Sequence, residues 1–271
     1  MDTNLEVNAS QMTDPARELA ELCQSLSNSA DERGDVYLAR HFKVDPWSEE
    51  FYRILFCILG RINEVQSLVS VIDADDDLKN ECVGHLNGIK AAFNQNALAA
   101  NWKPPGGPHH LRRENSQPIK MLSPQFRAIA PTPKVDEKEQ RALLEQTDEL
   151  LSWLQNHQLR EQDFIRQSII YGLLQFKFSI EKLRWVGWGY SLKSLRDVIA
   201  AYLVLERGHI PDQEDTTYDA MLKLTMKYIK ATYERLKIAR EITETGDFLL
   251  KAYGAWTLIS HAPGISGIIG R

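Results

Sequence analysis

Lys103 to Lys134 reads KPPGGPHHLRRENSQPIKMLSPQFRAIAPTPK and holds seven of the chain's eleven prolines: Pro104, Pro105, Pro108, Pro118, Pro124, Pro131 and Pro133. Proline fixes φ and lacks a backbone N–H, so the stretch is expected to be neither helix nor central strand. Almost everything on either side of it carries apolar residues at helical spacing. The fold class this implies is all-α: an N-terminal helical hairpin unit over 14–102, a basic proline-rich linker or strap over 103–134, and a C-terminal four- or five-helix bundle over 135–261. Residues 1–13 are polar and expected to be disordered, and 262–271 to form a flexible tail.

Working back from the proline stretch, Leu78, Cys82, Leu86, Ile89 and Phe93 mark a helix running towards Trp102. Asp75, Asp76 and Asp77 precede it, where negative charge suits a helix N-terminus. Phe51, Leu55, Ile58, Ile62, Val65, Val69 and Ile72 form the stripe of a long helix announced by Asp45-Pro46. The two helices and their acidic turn read as an antiparallel hairpin. Asp14-Pro15 starts an earlier helix with Ala16, Leu19, Cys23 and Leu26 on one face.

Working forward, Asp136 and Glu139 have capping-box spacing ahead of Leu143, Thr147, Leu150, Leu151 and Leu154. Ile165, Ile169, Leu173, Phe176 and Ile180 define the next helix, and Ile170, Leu174 and Phe178 give it a second apolar face. It is expected to stop at Val186-Gly187 with glycine in a left-handed cap, and Ser191 to cap the following helix. That helix points Leu192, Leu195, Ile199 and Tyr202 inward until Gly208 and Pro211. Tyr218 to Leu236 and Phe248 to Ile259 supply the last two helices.

Composition narrows the function classes. With 43% hydrophobic residues the 271-residue chain can bury a core, and a net charge of −5 argues against whole-protein attraction to nucleic acid or anionic lipid. The average conceals a contrast, since 103–134 carries six basic residues against Glu114 alone and sums to +5. The rest is therefore −10, an acidic body against which the strap can lie. Cys23, Cys57 and Cys82 are odd in number and widely spaced, so a reducing compartment is expected. The polar start cannot act as a signal peptide, and no apolar run approaches the ~18–20 residues of a membrane span. A cytoplasmic location follows as the expectation.

The hairpin ending in Ala99-Ala100-Asn101-Trp102, the proline-rich break and Arg184-Trp185-Val186-Gly187-Trp188-Gly189-Tyr190-Ser191-Leu192 between two helices resemble a bacterial family of all-helical proteins with no assigned activity. The likeness spans about residues 48–206. It implies a bacterial, cytoplasmic, all-helical protein and carries no site.

Candidate chemistry fails for lack of partners. There is no Walker loop, no strand before a glycine cluster and no Gly-x-Ser-x-Gly elbow. Gly264-Ile265-Ser266-Gly267 has the spacing of a phosphate-clamping loop but stands in a tail. Glu206-x-x-His209 is half of a di-iron motif without its second half. His109-His110 lacks a third ligand. HEPN ribonucleases place an Arg and a His on one cleft; here Arg33 and His41 are separated by seven residues, Gly34 among them. No catalytic, cofactor-binding or metal-binding residue is assigned.

Two surfaces remain. Arg184, Trp185, Trp188, Tyr190, Lys193 and Arg196 combine aromatic rings with positive charge, as interface anchors do, although the same rings can simply fill a helix corner. Lys223, Lys227, Lys230 and Lys237 share a helix face and could track phosphates, although most such rows are solvated. The sequence therefore points to a non-catalytic interaction or regulatory protein with an unknown protein partner. The alternative is a nucleic-acid-binding protein or HEPN-like ribonuclease using the basic helix 223–240.

Overall fold

The computed structural model describes residues 12–130, 132–159, 163–207 and 216–236. It is an all-α protein; among the described residues the only sheet is a two-residue antiparallel ladder. The chain divides into two compact units. The first spans residues 1–134 and takes in Arg184–Gly187; the second is built mainly from 135–183 and residues from Trp188 onward.

The first unit opens with β1 (Met12–Thr13), paired with β2 (Thr132–Pro133), and α1 (Pro15–Leu26). Asp14 caps α1 by accepting from the Arg17 N–H at 2.9 Å, and Pro15 sits where a missing donor costs nothing. Asp14 is fully buried, and its other oxygen accepts from the Ser123 hydroxyl and lies 3.5 Å from Arg127. One carboxylate thus caps a helix and anchors a segment more than a hundred residues away.

α2 (Gly34–Phe42) precedes α3 (Glu49–Val71), which is capped by Ser48. Asp45-Pro46 lies in the turn before that helix rather than at its start. α4 (Asp76–Ala91) is capped by Asp75, with Asp76 and Asp77 in its first turn as the acidic run suggests. α3 packs on α4 and on α1. By length and composition α3 could cross a membrane, contrary to the reading that no apolar run is long enough. Half of its apolar stretch is buried in the unit, and it carries Arg53, Arg61 and Glu64, which suits a core helix.

Trp102 organises the next part of the unit. It is fully buried, donates its indole N–H to the Leu26 carbonyl at 3.0 Å and stacks on Tyr37 with centroids 5.0 Å apart. The backbone closes tightly around it. A Cβ on Gly107 would fall 2.2 Å from the indole, and one on Gly34 only 2.6 Å from the Ala97 carbonyl in α5 (Gln95–Ala99). Only glycine fits at either place.

The proline stretch departs from expectation by being helical. It forms α6 (Gly107–His110), α7 (Arg113–Met121) and α8 (Ser123–Ile129). Pro108 and Pro124 occupy first-turn positions, where no N–H is needed, and only Pro118 lies inside a helix. Packing supplies what propensity withholds. Ile119, Leu122 and Phe126 are buried, Ile129 is exposed, and α7 lies against α1 and α4.

The second unit contains α9 (Glu137–Asn156), α10 (Asp163–Glu181), most of α11 (Leu183–Arg207) and α12 (Thr216–Leu236). The capping box is present in full: the Glu139 N–H donates to Asp136 at 2.8 Å, and the Asp136 N–H donates to Glu139 at 3.0 Å. Leu143, Leu150, Leu154, Ile169, Leu173, Phe176, Leu195, Ile199 and Ile229 belong to one apolar core. Gly172 lets α10 approach α11, since a Cβ there would meet Val198 at 2.8 Å. Arg166 is buried; it donates to Asp163 and caps the end of α9 through the Leu154 carbonyl at 2.7 Å. That guanidinium holds the Asp163 carboxyl down at about 2.

Gly187 has φ 77° and ψ 169°, so the positive φ expected of it is present. Its non-helical geometry separates two helical stretches joined within α11, so a helix does end there as expected, although that helix begins at Leu183 and α10 already stops at Glu181. Helical geometry resumes at once, which leaves Ser191 buried within the helix and not at its cap. Gly208, Pro211, the helix expected from Phe248 and the terminal Gly264-Ile265-Ser266-Gly267 lie outside the described residues.

Candidate interaction surfaces

The six residues of the aromatic corner are divided between the two units. Arg184 and Trp185 belong to the first unit; Trp188, Tyr190, Lys193 and Arg196 belong to the second. Trp185 is buried against Phe42, with centroids 5.2 Å apart, and the Arg184 guanidinium covers its ring at 4.9 Å. Trp188 is buried in the core of the second unit. Tyr190 is half-buried and donates to the Gln175 side chain at 3.2 Å. Arg196 is half-buried and Lys193 exposed. The tryptophan rings fill cores.

Trp185 is held from below by a buried charge cluster that spacing alone does not reveal. Arg61, 8% exposed, donates from Nη1 to the carbonyls of Arg184 at 3.2 Å and Trp185 at 2.9 Å. Its Nη2 lies 3.7 Å from Glu18, which accepts from the Thr132 hydroxyl at 3.0 Å. Burial and the nearby Glu18 charge push the Glu64 carboxyl up to about 7, with Arg61 opposing them. Burial likewise drives the Cys23 thiol up to about 12, so it is no nucleophile at neutral pH. The cluster is a tie between α1, α3 and the 184–187 segment.

A different aromatic surface is exposed. Trp47 is 40% exposed, Tyr52 45% and Phe56 70%. Tyr52 and Phe56 are one turn apart on α3, off the buried stripe, and the Trp47 and Tyr52 centroids lie 5.8 Å apart. Trp47 has φ 61°, a conformation that a bulky residue adopts only under constraint. The constraint is Asp35, 2% exposed, which accepts from the Trp47 indole at 2.7 Å, from Arg33 at 2.7 Å and from the Val36 N–H at 2.9 Å. The ring also meets Phe51 edge-on at 5.5 Å. The loop before it helps to line an open groove of about 610 Å³, with Arg40, Lys43, Asp45, Glu49 and Glu50 giving it mixed charge. The sequence signal was available: residues 52 and 56 fall between the positions of the apolar stripe, and an apolar residue there is exposed by geometry.

On α12, Lys223 and Lys227 are exposed and Lys230 half-buried, at the spacing of one helix face. None of the three makes an ion pair or side-chain hydrogen bond with a described residue. Lys237 lies outside the described residues. On α10, Phe164, Tyr171 and Leu174 are exposed, so the second face expected to be buried is buried only at Ile170 and Phe178.

The weaker chemical candidates find other partners. Arg33 pairs with Asp35, while the His41 Nδ1–H donates to the Tyr37 carbonyl at 2.9 Å and its ring packs on Tyr37. Glu206 accepts from the Tyr202 hydroxyl at 3.2 Å, and His209 is outside the described residues. Among the described residues no three His, Cys, Asp or Glu side chains cluster as a metal site would require, and all three cysteines are buried thiols outside any disulfide. No family model matches the chain, and no curated protein and no solved structure is found similar to it, so the likeness to a bacterial family adds nothing beyond the all-helical fold.

Proposed function

We propose that this is a non-catalytic, cytoplasmic interaction or regulatory protein that binds another protein through the exposed Trp47–Tyr52–Phe56 ridge. In this reading the first unit, whose helices include the basic proline-rich segment, is the working block, and the helices after residue 135 form a bundle. The observation that carries the proposal is Trp47: a large ring held at the surface in a backbone conformation that costs on the order of 1–3 kcal/mol. Strain of that size persists where the displayed group is used. Aromatic anchors of this kind dominate binding energy at protein interfaces. The test is a folded Phe56→Ser variant beside wild type. A defined partner that co-elutes with wild type, and not with the variant at unchanged melting temperature, supports the reading; equal co-elution overturns it.

A second reading uses Lys223, Lys227 and Lys230, which make no ion pair with a described residue, for phosphate contacts, in a nucleic-acid-binding protein or HEPN-like ribonuclease. Binding of RNA that falls steeply with salt, or RNA cleavage abolished by changing Arg33 or His41, would favour it. An aromatic-centred interface responds weakly to salt.

A further inference from the structure

A cleft of about 250 Å³ lies between α1 and α7 in the first unit. Gln24 from α1 and Arg113, Gln117 and Lys120 from α7 line its walls, and the apolar Ala20 and Leu111 belong to its lining as well. Arg113 and Lys120 are seven residues apart, and Gln117 lies one turn from each, so all three side chains rise on the same side of α7. Neither cation makes an ion pair or hydrogen bond with a described residue. No carboxylate lines the cleft; Glu21, near it in sequence, is paired with Arg17. Helix stability does not account for the arrangement. Arg113 stands in the first turn of α7, the positive end of the helix dipole, where a cation is unfavourable. The segment also concentrates charge of +5 in an otherwise acidic chain.

Four donor-bearing side chains border this concave space, Gln24, Arg113 and Lys120 from exposed positions and Gln117 half-buried, and they suit a compact, multiply charged acceptor. A carboxylate offers one charge and two oxygens, too little for a guanidinium fork, an ammonium and two amides together. A phosphate monoester offers up to two charges and three terminal oxygens, and matches the guanidinium bidentately. The volume is small beside the ~300–1,000 Å³ usual for organic ligand pockets, which selects a small molecule over a nucleotide. We propose that the α1–α7 cleft is a binding site for a small phosphate ester. Its phosphate sits between Arg113 and Lys120, with Gln24 and Gln117 donating, and its carbon skeleton rests on Ala20 and Leu111. Bound there, the ligand bridges α1 to α7 and stabilises the first unit. This site is independent of the aromatic ridge and of the protein-binding reading.

The test uses the full chain with inorganic phosphate and glycerol phosphate as probes and chloride of matched ionic strength as reference. Titration calorimetry is expected to give a dissociation constant on the order of 1 mM or tighter for glycerol phosphate, with inorganic phosphate weaker. The melting temperature should rise with ligand concentration as binding linkage requires. Arg113→Gln combined with Lys120→Gln should abolish both effects, whereas Lys138→Gln with Arg141→Gln, which removes the same charge from exposed α9 positions, should leave them intact. Should the first double variant not fold, Gln117→Glu, which places a carboxylate between the two cations, must abolish binding. No heat and no melting shift with wild type overturns the site. So does binding that survives in the cleft variants, or binding seen only with a phosphoserine peptide.

Discussion

Arg61 Nη1 donates to the Trp185 carbonyl oxygen at 2.9 Å across 124 residues of sequence, inside a unit whose other described residues all come from the first 134. A buried guanidinium is stable only while its donors are occupied, and here two backbone carbonyls and Glu18 share the task. The bond therefore fixes where the 184–187 segment lies in the first unit.

Arg61→Ala should destabilise the first unit by about 3–5 kcal/mol, the cost of breaking a buried charge network. Native-state hydrogen exchange is the measurement, because it reads each unit separately without assuming a single unfolding transition. Amides of α3 are expected to lose protection while those of α9 keep it. Equal loss in both would contradict a tie internal to the first unit.

The Glu64 carboxyl is pushed up to about 7 by burial and by Glu18. A carboxyl raised above its unfolded value of 4.5 adds stability that is full below that value and lost as pH rises through about 7. Glu64→Gln should flatten the stability profile between those limits and make the protein more stable at pH 8 by about 1–3 kcal/mol. Urea unfolding at a series of pH values checks it, and a variant with the wild-type slope would refute it.

Two glycine changes should have opposite signs. Gly107→Ala puts a methyl 2.2 Å from the Trp102 indole and should lower stability by about 1–3 kcal/mol. Gly60→Ala on the exposed face of α3 meets nothing within 4 Å and should raise it by about 0.5–1 kcal/mol. Thermal melts of the two variants side by side decide the matter.

Gly187→Val should lose about 1–3 kcal/mol, since a β-branched residue resists φ 77° and its Cβ would lie 2.6 Å from the Arg61 Nε. Pairing it with Arg61→Ala separates the two causes. If the clash dominates, the double variant costs less than the sum.

Helix positions were legible where local chemistry decides them. Asp14, Asp75 and Asp136 each cap the helix that its spacing announced, and Gly187 takes the positive φ its context required. The helices of the proline stretch are not legible from the number of prolines, because their place decides: Pro108 and Pro124 stand in first turns, where they help. Long-range facts were invisible. Nothing near residue 61 tells that its guanidinium is satisfied by carbonyls at 184 and 185, and nothing near 107 tells that an indole fills the space of its missing Cβ. The aromatic corner was found by composition, which counts rings but cannot say which way they face.

The placement of Arg184–Gly187 in the first unit also sets an order of events during synthesis. A ribosome that has delivered residue 134 has supplied eight helices of that unit but neither the ring that packs on Phe42 nor the carbonyls that occupy Arg61. Until some fifty further residues emerge, the nascent unit carries an open apolar slot and an under-occupied guanidinium. A gene fragment ending at Lys134 would be frozen in that unfinished state, whereas supplying the 184–187 stretch in trans as a peptide would be complementation of one unit by its own missing part.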